Sequence, residues 1–229
     1  MKILIIEDEP ALAKSMADFL KKESFVCEIA SDFALAQEKI NLYQYACILL
    51  DLSLPDGSGL DLLRELKANP EKSEGVVIIS AKNSLDDKIA GLDLGADDYL
   101  TKPFHLSELN SRVKSVIRRR YFEGASRLVL NEMEVDFGKK CIVAHNQEIR
   151  LSRKEYNLFL FLVANRNRVV SKSAIAEHLS GDEADFFDNF DFIYAHIKNL
   201  KRKLAEGGCQ DYIKTIYGIG YQFSTDETP

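Results

Sequence analysis

The chain has 229 residues, of which 46% are hydrophobic and 29% are charged, and its net charge is −6 at pH 7. This composition is typical of a soluble globular protein with one or two domains. The net negative charge argues against a protein that is basic throughout and binds nucleic acid along its whole length. The four cysteines are widely separated, which favours reduced thiols in the cytoplasm over disulfides or a zinc site. Because no apolar run approaches the roughly 20 residues of a membrane-spanning helix, we expect no membrane segment.

Residues 1–121 alternate short apolar runs with amphipathic segments. Five of the runs predict buried strands, at 2–6, 26–30, 47–50, 76–79 and 99–101. The intervening segments carry apolar residues at helical spacing, with charged residues on the opposite side. Strands that alternate with helices pair in parallel through right-handed crossovers. The sequence therefore predicts a doubly wound α/β domain with a five-stranded parallel sheet.

Polar side chains follow four of these strands. Glu7 and Asp8 follow the first strand, Asp51 ends the third, and Ser80 and Lys102 follow the fourth and fifth. Since the carboxyl ends of parallel strands meet at one edge of a sheet, we expect these side chains to lie close together. A single charged residue often does no more than end a strand. Four strands that each deliver a polar group to the same edge favour a functional site.

The residue types at this edge indicate phosphoryl chemistry. Converging carboxylates repel one another unless a cation neutralises them, and all-oxygen ligation suits Mg²⁺. A carboxylate beside such a cation can attack a phosphoryl group and form an aspartyl phosphate, with a lysine and a hydroxyl holding the other phosphoryl oxygens. The sequence contains no G-x-x-x-x-G-K-[ST] loop. It therefore predicts a phosphate acceptor rather than a nucleoside triphosphate site.

Four motifs, taken together and in this order, make residues 1–121 resemble the receiver domain of two-component response regulators. The motifs are IIEDE (5–9), LLDLSLPDG (49–57), ISA (79–81) and GADDYLTKPF (95–104). The resemblance implies that Asp51 is the phosphoacceptor.

The same resemblance implies roles for the residues around Asp51. Mg²⁺ would bind Asp8, Asp51 and the backbone carbonyl of Ser53, with Glu7 in the outer coordination shell. Lys102 would hold the phosphoryl group through a cis peptide bond to Pro103. Ser80 would move to the phosphate and Tyr99 would swing inward, so that the two act as a switch.

Activated receivers of the subfamily resembled here pair through the face formed by the fourth helix, the fifth strand and the fifth helix. Six charged residues stand where that subfamily places its intersubunit salt bridges: Lys88, Asp97, Asp98, Glu108, Arg112 and Arg119. The alternative is a solvated face whose ion pairs contribute little. With the resemblance, we expect a homodimer on activation.

A linker is predicted at 122–126, between a receiver domain at 1–121 and a second domain at 127–226. Short alternating segments from 128 to 151 predict a small antiparallel sheet. Ser152 and Glu155 form a predicted capping box before a buried helix at 156–164. A second helix opens at Ser171 and ends near 179, a third opens at or just before Asp191, and residues 213–223 predict a hairpin bent at its glycines.

The third helix of this domain has an apolar stripe and a basic opposite face. The stripe comprises Phe190, Ile193, Ile197, Leu200 and Leu204, and the opposite face carries His196, Lys198, Asn199, Lys201, Arg202 and Lys203. An ordinary amphipathic surface helix would show the same pattern, but a basic, amide-bearing face also fits a DNA major groove. The motifs LSRKEY (151–156), VVSK (169–172), HIKNLKRKL (196–204) and GIGY (218–221) make 127–225 resemble the winged helix-turn-helix effector of the OmpR/PhoB subfamily.

This second resemblance implies a DNA-binding surface. We expect phosphate contacts from Lys198, Lys201 and Arg202, with Asn199 and His196 reaching toward bases.

Some residues depart from the family pattern. Tyr217 stands where relatives usually carry arginine in the wing turn, so we expect a basic minor-groove contact to be weakened or replaced by Lys214. Asp191, Phe192 and Tyr194 at the start of the recognition helix do not favour phosphates. The acidic, aromatic loop at 181–191, with which relatives contact RNA polymerase, lacks their frequent tryptophan.

The sequence thus predicts a cytoplasmic transcription factor rather than an enzyme. A sensor histidine kinase or a small acyl phosphate would phosphorylate it, and it would bind double-stranded promoter DNA. Two alternatives stay open at this point. A phosphoryl-transfer enzyme would turn over a phospho-substrate without needing residues 127–229, and an interaction-only regulator would bind protein instead of DNA.

Overall fold

The computed structural model describes residues 1–23, 25–69, 74–81, 85–180 and 191–225. The chain divides into two compact units, Met1–Glu123 and Gly124–Pro229. Within the described ranges, no helix combines the length and apolar character that a membrane crossing requires.

The described residues of the first unit form seven strands and five helices. The strands are β1 (Lys2–Ile6), β2 (Val26–Ala30), β3 (Cys47–Asp51), β4 (Ser53–Leu54), β5 (Gly57–Ser58), β6 (Gly75–Ser80) and β7 (Asp98–Thr101). The helices are α1 (Pro10–Lys22), α2 (Phe33–Leu42), α3 (Gly59–Ala68), α4 (Leu85–Asp93) and α5 (Leu106–Tyr121). Five of the strands form a parallel sheet in the order β2-β1-β3-β6-β7, and β4 and β5 form a separate two-residue hairpin.

The parallel sheet confirms the predicted doubly wound, flavodoxin-like fold. Every residue of β1, β3 and β6 is buried, as expected where helices cover both faces of a parallel sheet. The observed strands extend the predicted ones by one residue at some ends, so that Asp51 and Ser80 lie within β3 and β6. The β4–β5 hairpin is not predicted, because two residues are too few to show periodicity.

The β4–β5 hairpin holds the end of β3 against two helices. The carboxylate of Asp56 accepts hydrogen bonds from the backbone N–H groups of Phe33 (2.7 Å) and Ala34 (3.0 Å), which are the first donors of α2. At the start of α3, a Cβ on Gly59 would lie 2.2 Å from the carbonyl oxygen of Asp51. Glycine is therefore required where α3 passes the end of β3.

The second unit contains two antiparallel sheets and three helices among its described residues. The strands are β8 (Arg127–Leu130), β9 (Met133–Asp136), β10 (Cys141–Ala144), β11 (Gln147–Ile149), β12 (Val169–Ser171), β13 (Ile213–Ile216) and β14 (Gly220–Phe223). The helices are α6 (Arg153–Ala164), α7 (Lys172–Ser180) and α8 (Asp191–Glu206). The sheet orders are β11-β10-β9-β8 and β12-β14-β13.

This arrangement confirms the predicted antiparallel sheet, helices and terminal hairpin of a winged helix-turn-helix domain. Strand β12 is not predicted. It has only three residues, and its pairing partner, Gln222 opposite Val169, lies far away in the sequence. The predicted helix residue Phe190, the loop at 181–190 and the domain end at 226 lie outside the described residues.

The core of the second unit forms between its helices and the β13–β14 hairpin. Ser152 and Glu155 make the predicted capping box at the start of α6. Helix α8 buries the predicted stripe of Ile193, Ile197, Leu200 and Leu204. Because this stripe packs inward, the opposite face of α8 is left toward solvent.

Candidate functional site

The carboxyl ends of β1, β3 and β7 bring four charged side chains together. One carboxylate oxygen each from Glu7, Asp8 and Asp51 lies within 4.8 Å of the others. The ammonium nitrogen of Lys102 lies 2.6 Å from Oδ2 of Asp51 and 2.8 Å from Oε1 of Glu7. The Ser53 N–H donates to Oδ1 of Asp51 at 2.9 Å. Both oxygens of Asp51 therefore have donors that fix the carboxylate in place.

Burial and charge act against each other at this cluster. Burial raises the pKa of Glu7, which is 1% exposed, although its hydrogen bond to Lys102 opposes the rise. Burial also lowers the pKa of Lys102, but hydrogen bonds and charge from Asp51 and Glu7 outweigh it and leave the pKa above its ordinary value. Lys102 thus stays protonated and shares its charge between two carboxylates.

The carboxylate cluster fits a divalent cation. Among the described residues, nothing donates a hydrogen bond to the buried Oε2 of Glu7. A buried anionic oxygen without a donor is costly unless a cation neutralises it. Asp8 is exposed, so the cluster opens to solvent on that side. Three carboxylates that converge on an open position are the donor set that Mg²⁺ prefers.

Ser80 and Tyr99 lie side by side at the same edge of the sheet. Ser80 is fully buried, and its carbonyl oxygen accepts a hydrogen bond from the Lys102 N–H at 2.9 Å. Tyr99 is 8% exposed and forms a side-chain hydrogen bond with Ser80. Burial raises the pKa of Tyr99, although the bond to Ser80 opposes the rise. In this structure the tyrosine is therefore already in an inward position. The peptide bond between Lys102 and Pro103 is cis.

The charged residues predicted for a dimer face make contacts within the chain. Arg112 donates to both carboxylate oxygens of Asp98, at 2.9 and 3.0 Å, and to Glu108 at 2.8 and 3.1 Å. Arg119 donates to the carbonyl oxygen of Asp97 at 2.9 Å. Lys88 is half-buried on α4.

The carboxylate of Asp97 has a different environment from the others on this face. It accepts hydrogen bonds from Arg120, at 2.9 Å to each oxygen, and from the Val76 N–H at 2.9 Å. Asp97 therefore ties the start of β7 to β6 and to α5.

The cations of α8 differ in their partners. Lys198 and Asn199 are exposed, whereas Lys201 donates to the carbonyl oxygen of Ile213 (2.9 Å) and to Asp211 (3.1 Å). Arg202 pairs with Glu206 at 2.6 Å, but this pair is exposed and contributes little.

The other residues predicted to face DNA lie on α8 and on the hairpin. His196 is half-buried, and burial together with Lys154 lowers its pKa. Lys214 is exposed on β13, and Tyr217 is 92% exposed in the β13–β14 turn.

Two contacts of the charged side chains could not be predicted from the sequence, because their partners lie far away along the chain. Lys203 pairs with the buried Glu155 at 2.6 Å, so it stabilises the capped start of α6 instead of facing solvent. The two residues are 48 positions apart. Asp56, which holds the start of α2, acts across 22 and 23 positions. Its place in the LLDLSLPDG motif, beside Asp51, was the one local indication of importance.

Two family models match this chain. The response regulator receiver domain matches residues 3–114, and the C-terminal domain of transcriptional regulatory proteins matches residues 146–223. The cell cycle response regulator CtrA of Brucella anthropi is 37% identical over 227 residues, which cover 96% of this chain and 94% of the relative.

Solved structures match the first unit. A CheY-like response regulator receiver domain protein from Methanospirillum hungatei has a TM-score of 0.50 and 28% identity, and covers 53% of this chain and 97% of its own. A two-component response regulator from Clostridium difficile has a TM-score of 0.50 and 29% identity, over 52% and 97% of the two chains. Members of the OmpR/PhoB subfamily of two-component response regulators are transcription factors that join a receiver domain to a winged helix-turn-helix DNA-binding domain. The two family models and the similarity to CtrA show that the chain belongs to this subfamily.

Proposed function

We propose that this protein regulates promoters when a cognate sensor histidine kinase, or a small acyl phosphate, phosphorylates Asp51. The observation that carries the proposal is the carboxylate of Asp51, buried at the end of β3 with Lys102 2.6 Å away and with Glu7 and Asp8 beside it. The receiver comprises 1–121, the linker 122–126 and the effector 127–226, and the protein acts in the cytoplasm.

The phosphoryl transfer needs little from the protein beyond positioning and charge. An oxygen of Asp51 attacks phosphorus while the bond to the donor breaks, and the leaving imidazole or carboxylate keeps the electron pair. Lys102 turns from the carboxylates to a phosphoryl oxygen. Asp8, Asp51 and the Ser53 carbonyl would hold Mg²⁺, with Glu7 in the outer shell, and the bound ion would neutralise charge on the phosphoryl oxygens.

The phosphoryl group then favours one of two arrangements that exist beforehand. Its added charge and acceptor oxygens attract the hydroxyl of Ser80, which is hydrogen-bonded to Tyr99. A shift of Ser80 toward the phosphate changes its hydrogen bond with Tyr99, whose side chain already lies inward in this structure. Tyr99 lies on β7, so the change reaches the face formed by α4, β7 and α5.

That face is the proposed dimer interface. Its charged members are Lys88, Asp97, Asp98, Glu108, Arg112 and Arg119. Three apolar residues on α4 support the proposal, because Leu85, Ile89 and Leu92 are 70%, 46% and 44% exposed at i, i+4 and i+7 spacing. We expect Arg112 to exchange its contacts within the chain for contacts across the interface. The Asp97 carboxylate, by contrast, keeps its bond to the backbone of β6.

The effector binds duplex DNA with α8 in the major groove. Lys198 contacts phosphates, Lys214 takes the place of a basic minor-groove contact at the wing, and Asn199 and His196 reach toward bases. Lys201 and Arg202 also contact phosphates, but each must first leave a partner in its own chain, so we expect less from them than from Lys198. RNA polymerase is the further partner, through the loop at 181–191.

Mass spectrometry of the intact protein tests the phosphoacceptor. Acetyl phosphate with Mg²⁺ should add one phosphoryl group to the wild type, and chelation of Mg²⁺ should prevent the addition. Asp51→Asn should stay unmodified, because an amide is not a nucleophile toward the phosphoryl group. Asp61→Asn, which changes an exposed carboxylate on α3, is the matched control and should be modified like the wild type. Modification of Asp51→Asn would refute the assignment.

A further inference from the structure

Lys172 and Tyr194 form a cation–aromatic pair on the surface of the second unit. Lys172 is the first residue of α7, and Tyr194 lies in the first turn of α8. The ammonium nitrogen of Lys172 donates a hydrogen bond to the phenol oxygen of Tyr194 and lies 4.9 Å from the centre of its ring. Tyr194 is 45% exposed, so the pair is accessible to a ligand.

The charge of Lys172 is not neutralised by a carboxylate anywhere in the described part of the chain. Its ammonium group interacts with two tyrosines, Tyr194 and Tyr221. The hydrogen bond to Tyr194 raises the pKa of Lys172, so the side chain stays a full cation. Lys201 and Lys203 differ, because they are bound to Asp211 and Glu155.

The pair also lies beside the wing. The N–H of Lys172 donates to the carbonyl oxygen of Ile219 at 3.3 Å, next to the tip of the β13–β14 hairpin. β12 and β14 approach so closely here that a Cβ on Gly220 would lie 1.9 Å from the carbonyl oxygen of Val170. The start of α7 is therefore fixed to the wing by backbone contacts and to α8 by Tyr194.

The geometry of the DNA grooves determines which part of a bound duplex would lie next to the Lys172–Tyr194 pair. A helix in the major groove and a hairpin at the adjacent minor groove lie on either side of one phosphate backbone strand. A cation held between the two elements therefore faces backbone oxygens. An ammonium is a suitable point charge for a phosphate, and the phenol O–H of Tyr194 is free to donate because its oxygen accepts from Lys172.

We propose that Lys172 and Tyr194 together bind one backbone phosphate of duplex DNA, between the recognition helix and the wing. The inference rests on the proposed DNA binding and adds to it a contact that positions the effector on the duplex. Lys172 supplies charge, and Tyr194 holds the ammonium in place and donates a second hydrogen bond to the same phosphate. The sequence did not favour Tyr194 for a phosphate contact, because its partner Lys172 lies 22 positions away. The contact carries no base specificity.

Titration of the full-length protein with a fluorescent mixed-sequence duplex, at several salt concentrations, tests the proposal. Lys172→Met should weaken binding about tenfold at low salt and reduce the slope of log affinity against log salt by about one, because one fewer counterion is released. Tyr194→Phe keeps the ring but loses the hydroxyl. It should weaken binding by roughly threefold to tenfold and leave the slope unchanged.

Two further variants separate a phosphate contact from other effects. Lys172→Arg should restore the wild-type slope. Lys139→Met removes an exposed lysine from the β9–β10 turn and should leave both affinity and slope unchanged. If the wild type binds the duplex but Lys172→Met keeps the wild-type salt slope, the phosphate contact is refuted. An equal decrease of the salt slope in Lys139→Met would also refute the contact. In both cases the proposed DNA binding itself stands. If wild type does not bind the duplex even at low salt, the proposed function itself fails.

Discussion

Single charged residues at the end of the parallel sheet determine which ligands the receiver can accept. Glu7, Asp8 and Asp51 carry three negative charges when they are ionised, and Lys102 supplies one positive charge. The remaining charge of about −2 equals the charge that one Mg²⁺ neutralises. The same residues thus fit the proposed Mg²⁺, and two donors hold the proposed acceptor carboxylate in place before a phosphoryl group arrives.

Asp8 allows the metal site to be tested at the level of one residue. Mg²⁺ should raise the melting temperature of the wild type, because a ligand that binds the folded state alone stabilises it. Asp8→Asn should abolish most of that shift with little effect on stability without Mg²⁺, since Asp8 is exposed. Differential scanning calorimetry measures both. Asp18→Asn, an exposed carboxylate on α1, should retain the wild-type shift, and an equal shift in Asp8→Asn would contradict the ligand assignment.

At the scale of secondary-structure elements, α6 and α8 are joined by one buried ion pair. Glu155 caps α6 through the N–H of Ser152 (2.7 Å) and binds Lys203 of α8 (2.6 Å). Burial raises the pKa of Glu155, but Lys203 and Ser152 outweigh it and leave the pKa below its ordinary value of 4.5. The negative charge of Glu155 therefore stabilises the folded effector.

The stability that Glu155 contributes should depend on pH in a defined direction. Its pKa is lower in the folded than in the unfolded state, so the contribution is complete above pH 4.5 and disappears as the pH falls through the folded value. Glu155→Gln should lower the free energy of unfolding by about 1–3 kcal/mol at neutral pH and by progressively less in acid. Denaturant unfolding of the full chain at several pH values measures the difference. Glu148→Gln, on the exposed side of β11, should have no such effect, and a penalty independent of pH would argue against the pair.

Some helices and strands can be predicted from the local sequence, and others cannot. The strands of the parallel sheet are predicted because helices cover both faces of the sheet, which buries β1, β3 and β6 at every position and makes the strand runs mainly apolar. The β4–β5 hairpin and β12 are missed, because two or three residues carry no period and their pairing is set by partners elsewhere. The capping box at Ser152 is predicted because both of its members lie within one helical turn.

In the whole molecule, Asp51 and helix α8 belong to separate units of one chain. Pairing of two receivers would place two effectors near adjacent half-sites. The second effector then binds at a high effective concentration, so affinity for a double site rises without any new base contact. Phosphorylation of Asp51 would thus regulate DNA binding from a separate unit of the chain.

The substitution Arg119→Glu tests whether dimerisation transmits the phosphorylation signal. Acetyl phosphate should convert the wild type from monomer to dimer in light scattering and tighten its binding to promoter DNA with two half-sites. Arg119→Glu should prevent both while Asp51 is still phosphorylated. As an exposed substitution it should change the free energy of unfolding by no more than about 0.5 kcal/mol. Lys14→Glu, an equal charge reversal on α1, should behave like the wild type. Normal dimerisation of Arg119→Glu would contradict the proposed face.

The parallel α/β receiver, the winged-helix effector and the set of polar residues at one sheet edge can all be inferred from the amino-acid sequence. The polar edge can be inferred because parallel pairing brings the carboxyl end of every strand to that edge, wherever the residues lie in the chain. Which charges are already neutralised becomes visible only in the folded chain. Lys203 binds Glu155 and Asp97 binds Arg120, whereas Lys172 has a tyrosine as its partner. Those partners are 48, 23 and 22 positions away along the chain. The periodicity of a sequence reports only on residues a few positions apart, so it cannot predict contacts over such distances.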